Sequence, residues 1–274
     1  MKGISFGQYY PGSSFLHRMD PRIKIVMTVL YVVCTFLCKS AASFGTLLVS
    51  VFALILLSRI PVRIVLRSVR PLLIIIAFTF LINVFWTKGE TPPLVEIGVV
   101  RIYAEGIWNA VFMFFRIFAL VTGTGIFLTY TTTPMDLTDG LEALLSPLKK
   151  LHVPVHVFAM MMSITLRFIP TLSEETEKIM NAQRARGADF TSGSLVRRAK
   201  ALIPILIPLF VSAINRALEL ANAMECRCYH GGEGRTRLRV LKCHAVDLVV
   251  SLTMVAFCTG IVFLNFVPFG YVMK

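Results

Sequence analysis

Two arginines in this chain stand between small residues at the ends of long helix-like stretches. The first lies in Ala185-Arg186-Gly187, downstream of Arg167-Phe168-Ile169-Pro170 and the polar run Ser173-Glu174-Glu175-Thr176-Glu177-Lys178. The second lies in Cys226-Arg227-Cys228, after Asn215-Arg216-Ala217-Leu218-Glu219 and Asn222-Ala223-Met224-Glu225. One arginine in the last turn of a helix is accounted for by the helix dipole and by bonds to the final carbonyls. Two of them, each cleared of bulky neighbours, suit a different chemistry. A guanidinium with room around it enters a groove on a partner, and its rigid five-donor fork pairs with a carboxylate more specifically than lysine does.

The protein that carries these ends is greasy. Of its 274 residues, 56% are hydrophobic and only 16% charged, and the mean hydropathy is +0.74. Soluble domains carry about a quarter charged residues. Long unbroken apolar runs, without the alternation of barrel strands, point to an all-α membrane protein, because backbone polar groups in lipid must be satisfied inside a helix or a closed barrel. A net charge of +13 would suggest nucleic acid in a soluble protein. Here the cations sit beside apolar runs, which fits cytoplasmic loops and anionic membrane lipids and leaves nucleic acid out. The polar residues 1–20 show no cleavable-signal pattern.

Five spans are expected: Ile23 to Cys38, Ala41 to Leu57, Leu72 to Trp86, Ala104 to Tyr130 and Ala245 to Pro268. The first three are shorter than the roughly 20 apolar residues that a core of about 30 Å asks for, a deficit that snorkelling flanks and local thinning absorb. Lys2, Arg18, Arg22 and Lys24 precede the first span, Arg59, Arg63, Arg67 and Arg70 follow the second, and basic residues run from Lys149-Lys150 to Lys242. The opposite loops hold only Lys39, Lys88, Arg101 and Lys274. This asymmetry places the N-terminus and the hydrophilic region in the cytoplasm of a cell membrane and the C-terminus outside. Two more apolar stretches, Val155 to Ile169 and Leu202 to Ile214, are long enough to be mistaken for spans. Crossing there would put Lys178, Arg184, Arg186, Arg197, Arg198 and Lys200 outside, and each stretch runs on into an amphipathic pattern. They are read as long helices that stay on the cytoplasmic side.

Three regions follow: residues 1–131 with four transmembrane helices, residues 132–243 with three cytoplasmic helices, and residues 244–274 with the last transmembrane helix. The first of these cytoplasmic helices is expected from Pro134 to Leu151, with Thr133 as cap and Asp136 and Asp139 near its positive start. The second runs from Pro154 to Arg186 and is ended by Gly187. The third runs from Leu195 to about Tyr229, bent or loosened at Pro204 and Pro208, before Gly231, Gly232 and Gly234 break it.

Other chemistry is thinly represented. Cys34, Cys38 and Cys258 lie in apolar runs and read as small hydrophobes, while Cys226, Cys228 and Cys243 face a reducing compartment and are expected unpaired. Cys226, Cys228, His230, Cys243 and His244 match no zinc-finger spacing, and His152 and His156 flank Pro154 as surface histidines, so no metal site is expected. Gly231 to Gly234 lacks the strand and the Lys-Ser/Thr ending of a phosphate loop. The chain is therefore read as needing no cofactor and as having no nucleotide site of its own. Arg116, near the middle of the fourth span, is either an anchor within the bundle or a functional contact. Apart from Asp247 near an end, the other spans offer it no acidic partner.

The stretch from Thr131-Thr132-Thr133-Pro134 through Leu166-Arg167-Phe168-Ile169-Pro170 to Ala182-Gln183-Arg184-Ala185-Arg186-Gly187-Ala188-Asp189-Phe190 resembles the transmembrane T component of energy-coupling factor transporters. So does Ala223-Met224-Glu225-Cys226-Arg227-Cys228-Tyr229 with Gly231-Gly232-Glu233-Gly234-Arg235-Thr236-Arg237. Two separate motifs in the family's order and spacing make the likeness specific. It is strongest over residues 131–239, and the N-terminal spans agree in number and order.

The resemblance implies a non-catalytic subunit with two kinds of partner. Two ABC-type ATPases bind ATP and Mg and carry out hydrolysis. A small membrane protein, the S component, captures a vitamin or metal ion. The T component joins them through two long crossed helices, and each tip docks on one ATPase. Those tips map onto Ala185, Arg186 and Gly187, and onto Cys226, Arg227 and Cys228. The apolar starts of the same helices, with Phe158, Met161 and Ile164 and with Ile203, Leu206 and Phe210, meet the S component. ATP-driven closure moves the tips together and tilts the S component to release its substrate inward. The family more often carries Ala and Gly around the second arginine; cysteine takes a left-handed backbone less readily than glycine, so this helix is expected to run on to Gly231. Two other classes compete. The permease of an ordinary ABC importer presents one coupling helix per subunit and dimerises. A polytopic membrane enzyme needs carboxylates, histidines or a nucleophile clustered at one membrane depth.

Overall fold

Capping residues set the ends of the helices into which the apolar runs fold. The computed structural model describes residues 9–86, 95–97, 100–190, 194–231 and 245–266. A short α1 (Phe15–Arg18) precedes α2 (Pro21–Leu37), α3 (Ala41–Ser58), α4 (Val62–Val69) and α5 (Leu73–Trp86). A small hairpin follows, β1 (Val95–Ile97) antiparallel to β2 (Val100–Ile102), with Glu96 opposite Arg101. Then come α6 (Ala104–Thr124), which widens into a π-helical end at Gly125–Tyr130, and α7 (Pro134–Leu144), trailed by a 3₁₀ stretch at Ser146–Leu151. The long α8 (Val155–Ala185) and α9 (Leu195–Cys226) precede α10 (Ala245–Phe266). Asp20 caps α2 by accepting the Arg22 N–H at 2.9 Å, and Thr133 caps α7 by accepting the Asp136 N–H at 3.1 Å.

The chain is an all-α membrane protein, to which the hairpin is a minor addition. Among the described residues six helical stretches are long and apolar enough to cross a membrane: Ala41–Ser58, Val62–Phe85, Ala104–Tyr130, Val155–Ala185, Val196–Cys226 and Ala245–Phe266. The first expected span forms α2, which at 17 residues is shorter than these. The helix expected from Pro134 to Leu151 stops at Leu144, because Pro147 has no N–H to continue the ladder and the chain tightens into 3₁₀ turns. By contrast α8 runs through Pro170, and α9 through Pro204 and Pro208, without a break. Lys2, Lys88, the glycine-rich stretch from residue 232, Lys242, Cys243, His244, Pro268 and Lys274 lie outside the described residues.

Two units make up the chain. One comprises the described residues of Gly7–Ala143 and Leu241–Lys274, and so holds α1 to α7 and α10; the other comprises those of Leu144–Val240, with α8 and α9. In the first, Tyr31, Phe44, Leu47, Ala119, Ile126 and Ile261 form a buried core. The Tyr31 hydroxyl donates to the Ala119 carbonyl at 3.2 Å.

The last helix is fastened to the first long one at three levels. Near its start, Asp247 Oδ1 accepts the Asp20 N–H at 3.2 Å. Midway, Cys258 forms a disulfide with Cys34, the Cα atoms 5.7 Å apart. These two cysteines, read from their apolar surroundings as small hydrophobes, are thus partners across 224 residues of chain, a separation at which sequence spacing carries no pairing signal. Near the far end, Asn265 Nδ2 donates to the Leu37 carbonyl at 2.7 Å, and its Oδ1 accepts from the Lys39 N–H and the Ser43 hydroxyl.

Arg116 finds its partner at a helix end. Its Nη2 donates to the Cys38 carbonyl at 2.6 Å, and Cys38 caps α2, where the last carbonyls have no intrahelical donor. The guanidinium carbon also lies 5.2 Å from the centre of the Phe44 ring. An orphan carbonyl and an aromatic face thus hold this charge inside the bundle.

Candidate functional site: two matched arginine tips

Residues 155–185 form an unbroken helix that changes character along its length, from Val155-His156-Val157-Phe158 to Glu174-Glu175-Thr176-Glu177-Lys178. Residues 195–226 repeat the change, from Leu202-Ile203 to Asn222-Ala223-Met224-Glu225. The two helices pack on each other between these extremes. Ile164, Phe168 and Leu172 of α8 face Ala213, Ala217 and Met224 of α9 across an apolar groove, the alanines letting the helices approach. Within this contact Arg216 Nη2 donates to Glu175 Oε2 at 2.6 Å. Glu175 precedes Arg186 by eleven residues, and Arg216 precedes Arg227 by eleven. Each helix therefore extends about 16 Å past the ion pair before its arginine, at 1.5 Å per residue. Sequence reasoning missed this pairing, although an acid and a base equally distant from the two tips were in plain view.

Both ends close with the same hydrogen-bond pattern. Arg186 caps α8, Gly187 turns left-handed at φ 86°, the Gly187 N–H donates to the Arg184 carbonyl at 2.9 Å, and the Ala188 N–H donates to the Gln183 carbonyl at 3.0 Å. Arg227 caps α9, Cys228 turns left-handed at φ 56°, the Cys228 N–H donates to the Glu225 carbonyl at 2.9 Å, and the Tyr229 N–H donates to the Met224 carbonyl at 3.1 Å. These are two Schellman motifs in register. The expectation that the second helix runs on to Gly231 is corrected: it ends at Cys226, and Cys228 adopts the conformation glycine holds in the first tip. The left-handed penalty of about 1–2 kcal/mol is offset by two bonds to otherwise orphaned carbonyls.

Cys228→Gly is accordingly expected to tighten this end by about 0.5–1 kcal/mol, the relief of left-handed strain being partly cancelled by glycine's freer unfolded chain. Slower amide exchange at Cys228 and Tyr229 positions checks it, and unchanged or faster exchange there counts against the strain.

The side chains at these ends are unengaged. Ala185, Arg186, Gly187, Cys226, Arg227 and Cys228 are all exposed, and among the described residues the side chain of neither Arg186 nor Arg227 has a hydrogen-bond or ion-pair partner. Arg184, two residues before the first tip, is differently placed, with its guanidinium 6.0 Å from the centre of the Phe190 ring. At the apolar starts of the helices, Phe158, Met161, Ile203, Leu206 and Phe210 are exposed, Phe210 at 68%. Ile164 is half-buried and lines the groove between the helices. Each helix thus carries an exposed arginine at one end and exposed apolar side chains toward the other.

Residues 12–238 match the CbiQ family of cobalt transport proteins. This chain belongs to that family. As a CbiQ-family member it is also similar to proteins described as the energy-coupling factor transporter transmembrane protein EcfT. The relative from Clostridium kluyveri is 47% identical over 262 residues, covering 95% of this chain and 97% of the relative. That from Ruminiclostridium cellulolyticum is 48% identical over 271 residues, covering 98% of this chain and all of the relative. That from Bacillus subtilis is 45% identical over 265 residues, covering 97% and 99%. Family membership and the six apolar helical stretches together make this a multi-pass membrane protein with a transport role.

A second group of residues in this CbiQ-family chain escaped sequence reasoning. Lys24 entered it only as one of the charges that orient the first span. In the structure it is 1% exposed and shares a buried face of α2 with Thr28, Tyr31 and Thr35. Their spacing at positions i, i+4, i+7 and i+11 is the signal: polar residues on one face of an apolar helix point inward.

Proposed function

We propose that this chain is the transmembrane coupling subunit of an ATP-driven importer of the energy-coupling factor type, which takes up a vitamin or other micronutrient. Two ABC-type ATPases, which bind ATP and Mg, dock on the Arg186 and Arg227 tips. A small substrate-binding S component sits on the apolar surface around Phe158, Met161, Ile203, Leu206 and Phe210. The coupling-helix region (residues 132–243) and the N-terminus lie in the cytoplasm and the C-terminus outside. The chain itself performs no catalysis. ATP closes the ATPase pair, the tips move together, and the crossed helices α8 and α9 tilt the S component.

The observation that carries this reading is the equivalence of the tips: two exposed, unpartnered arginines on matching Schellman ends, equally far from one ion pair. One molecule then has what two ATPases need. The names printed for its relatives point the same way. An ordinary ABC permease needs one coupling helix per subunit and a second copy of itself. The cytoplasmic placement of α8 and α9, despite their apolar composition, is supported by the six cations at Lys178, Arg184, Arg186, Arg197, Arg198 and Lys200.

Native mass spectrometry of the complex purified from co-expressed chains tests it. Two ATPases and one small hydrophobic protein per copy are expected. Two copies of this chain with two ATPases and no small membrane protein would establish the permease instead.

A further inference from the structure

A buried polar junction lies where α2 and α10 begin and α6 passes into α7. The Lys24 ammonium donates to the Thr131 carbonyl at 2.8 Å and to the Thr132 hydroxyl at 3.3 Å. The hydroxyls of Thr131 and Thr132 in turn donate to the Phe127 carbonyl at 2.9 and 3.1 Å, inside the π-helical end of α6. Asp20 caps α2 and donates its N–H to Asp247, itself 1% exposed at the start of α10. The carboxylates of Asp136, in the first turn of α7, and Asp247 both act on the Lys24 charge. The backbone of α7 also comes close: a Cβ added at Gly140 would lie 3.0 Å from Pro21 Cβ and 3.1 Å from the Pro21 carbonyl carbon.

We propose that this junction is the fixed end of the coupling apparatus, with Lys24 as a positioning residue that clamps the start of α7 to the first and last membrane helices. The proposal rests on the coupling reading above. Force that arrives along the chain beyond Ala143 performs work on a partner only if the helix it enters through cannot swivel. π-Helical turns are frequent at functional sites, and here the residues just past the π-helical end are held, through the Thr131 carbonyl and the Thr132 hydroxyl, by a buried cation. An ionisable group buried among apolar spans is costly and commonly functional.

The experiment uses the full complex in proteoliposomes, with composition, ATP hydrolysis and substrate uptake measured on the same sample. Wild-type chain that recovers no ATPase defeats the proposed function itself, before any variant is read. With assembly established, Lys24→Met is expected to keep the composition and the hydrolysis rate while uptake per ATP falls roughly tenfold, the scale of typical coupling free energies. A normal uptake-per-ATP ratio overturns the proposal, and so does an uptake loss that merely tracks lost complex. Thr132→Val keeps the cation and removes one acceptor. It decides the matter if the methionine variant fails to assemble: a lowered ratio in intact complex supports the clamp, and an unchanged one overturns it.

Discussion

Replacing both Arg186 and Arg227 by alanine is expected to leave the chain folded in its membrane and to strip it of ATPases. Removing one partner of a desolvated, hydrogen-bonded charge pair costs about 2–5 kcal/mol, so each single change is expected to weaken docking about thirtyfold or more. The two tips engage separate partners, which makes the losses close to additive and the double variant unable to hold either ATPase at working concentrations. The fold has little to lose. Both side chains are exposed and lack intramolecular partners among the described residues, and what each gives its own helix is at most the dipole interaction of about 0.3–1 kcal/mol. Lysine at either position keeps the charge and gives up the two-pronged geometry, so it is expected to fall between arginine and alanine. Pull-down of the ATPases and thermal unfolding of the isolated subunit separate the two effects. A double alanine variant that retains both ATPases removes the arginines from the mechanism, and one that unfolds makes them structural.

Much of this arrangement was legible because it is written in local pattern. Thr133 before Pro134, Gly187 after Arg186 and the cations beside apolar runs each act within a few residues, and the caps are where those residues place them. What escaped notice was of two kinds. Contacts between distant segments, such as Cys34 with Cys258 and Asn265 with the α2–α3 turn, leave no trace in spacing, and the one trace of Glu175 with Arg216, their equal distance from the two tips, shows only once the helices are seen side by side. The second kind was a residue judged by type instead of surroundings. Cys228 was denied a left-handed backbone because it is not glycine, yet two capping bonds override that preference. Lys24 was counted as an orienting charge because lysines near a span end usually are, yet Thr131 and Thr132 take it into the bundle. Arg116 looked partnerless only while partners were sought among acids; the carbonyl at a helix end was available all along.

Gly123→Ala is expected to destabilise the membrane unit by about 1–3 kcal/mol, the usual cost of overpacking a filled core. A Cβ built at Gly123 runs into the Tyr31 ring, at Cε1, Cζ and the hydroxyl oxygen. Moving that ring carries a cost. It is 1% exposed, its hydroxyl is tied to the Ala119 carbonyl one turn away on the same helix α6, and it packs against the Phe127 ring at a centroid distance of 6.0 Å. Shifting it breaks the hydrogen bond and the ring contact together, at the crossing of α2 and α6. Glycine is therefore kept here for closeness of approach, and its known cost inside a helix, about 0.5–1 kcal/mol relative to alanine, is outweighed by the fit of the ring. The pairing predicts its own rescue: Tyr31→Leu clears the space, so Gly123→Ala in that background is expected to be neutral or mildly stabilising through better helix propensity. Thermal unfolding in detergent of the four combinations measures the coupling between the two positions. If Gly123→Ala is harmless with Tyr31 in place, the close approach of α2 and α6 at this point is wrong. If it is equally harmful without Tyr31, the clash lies with some other neighbour.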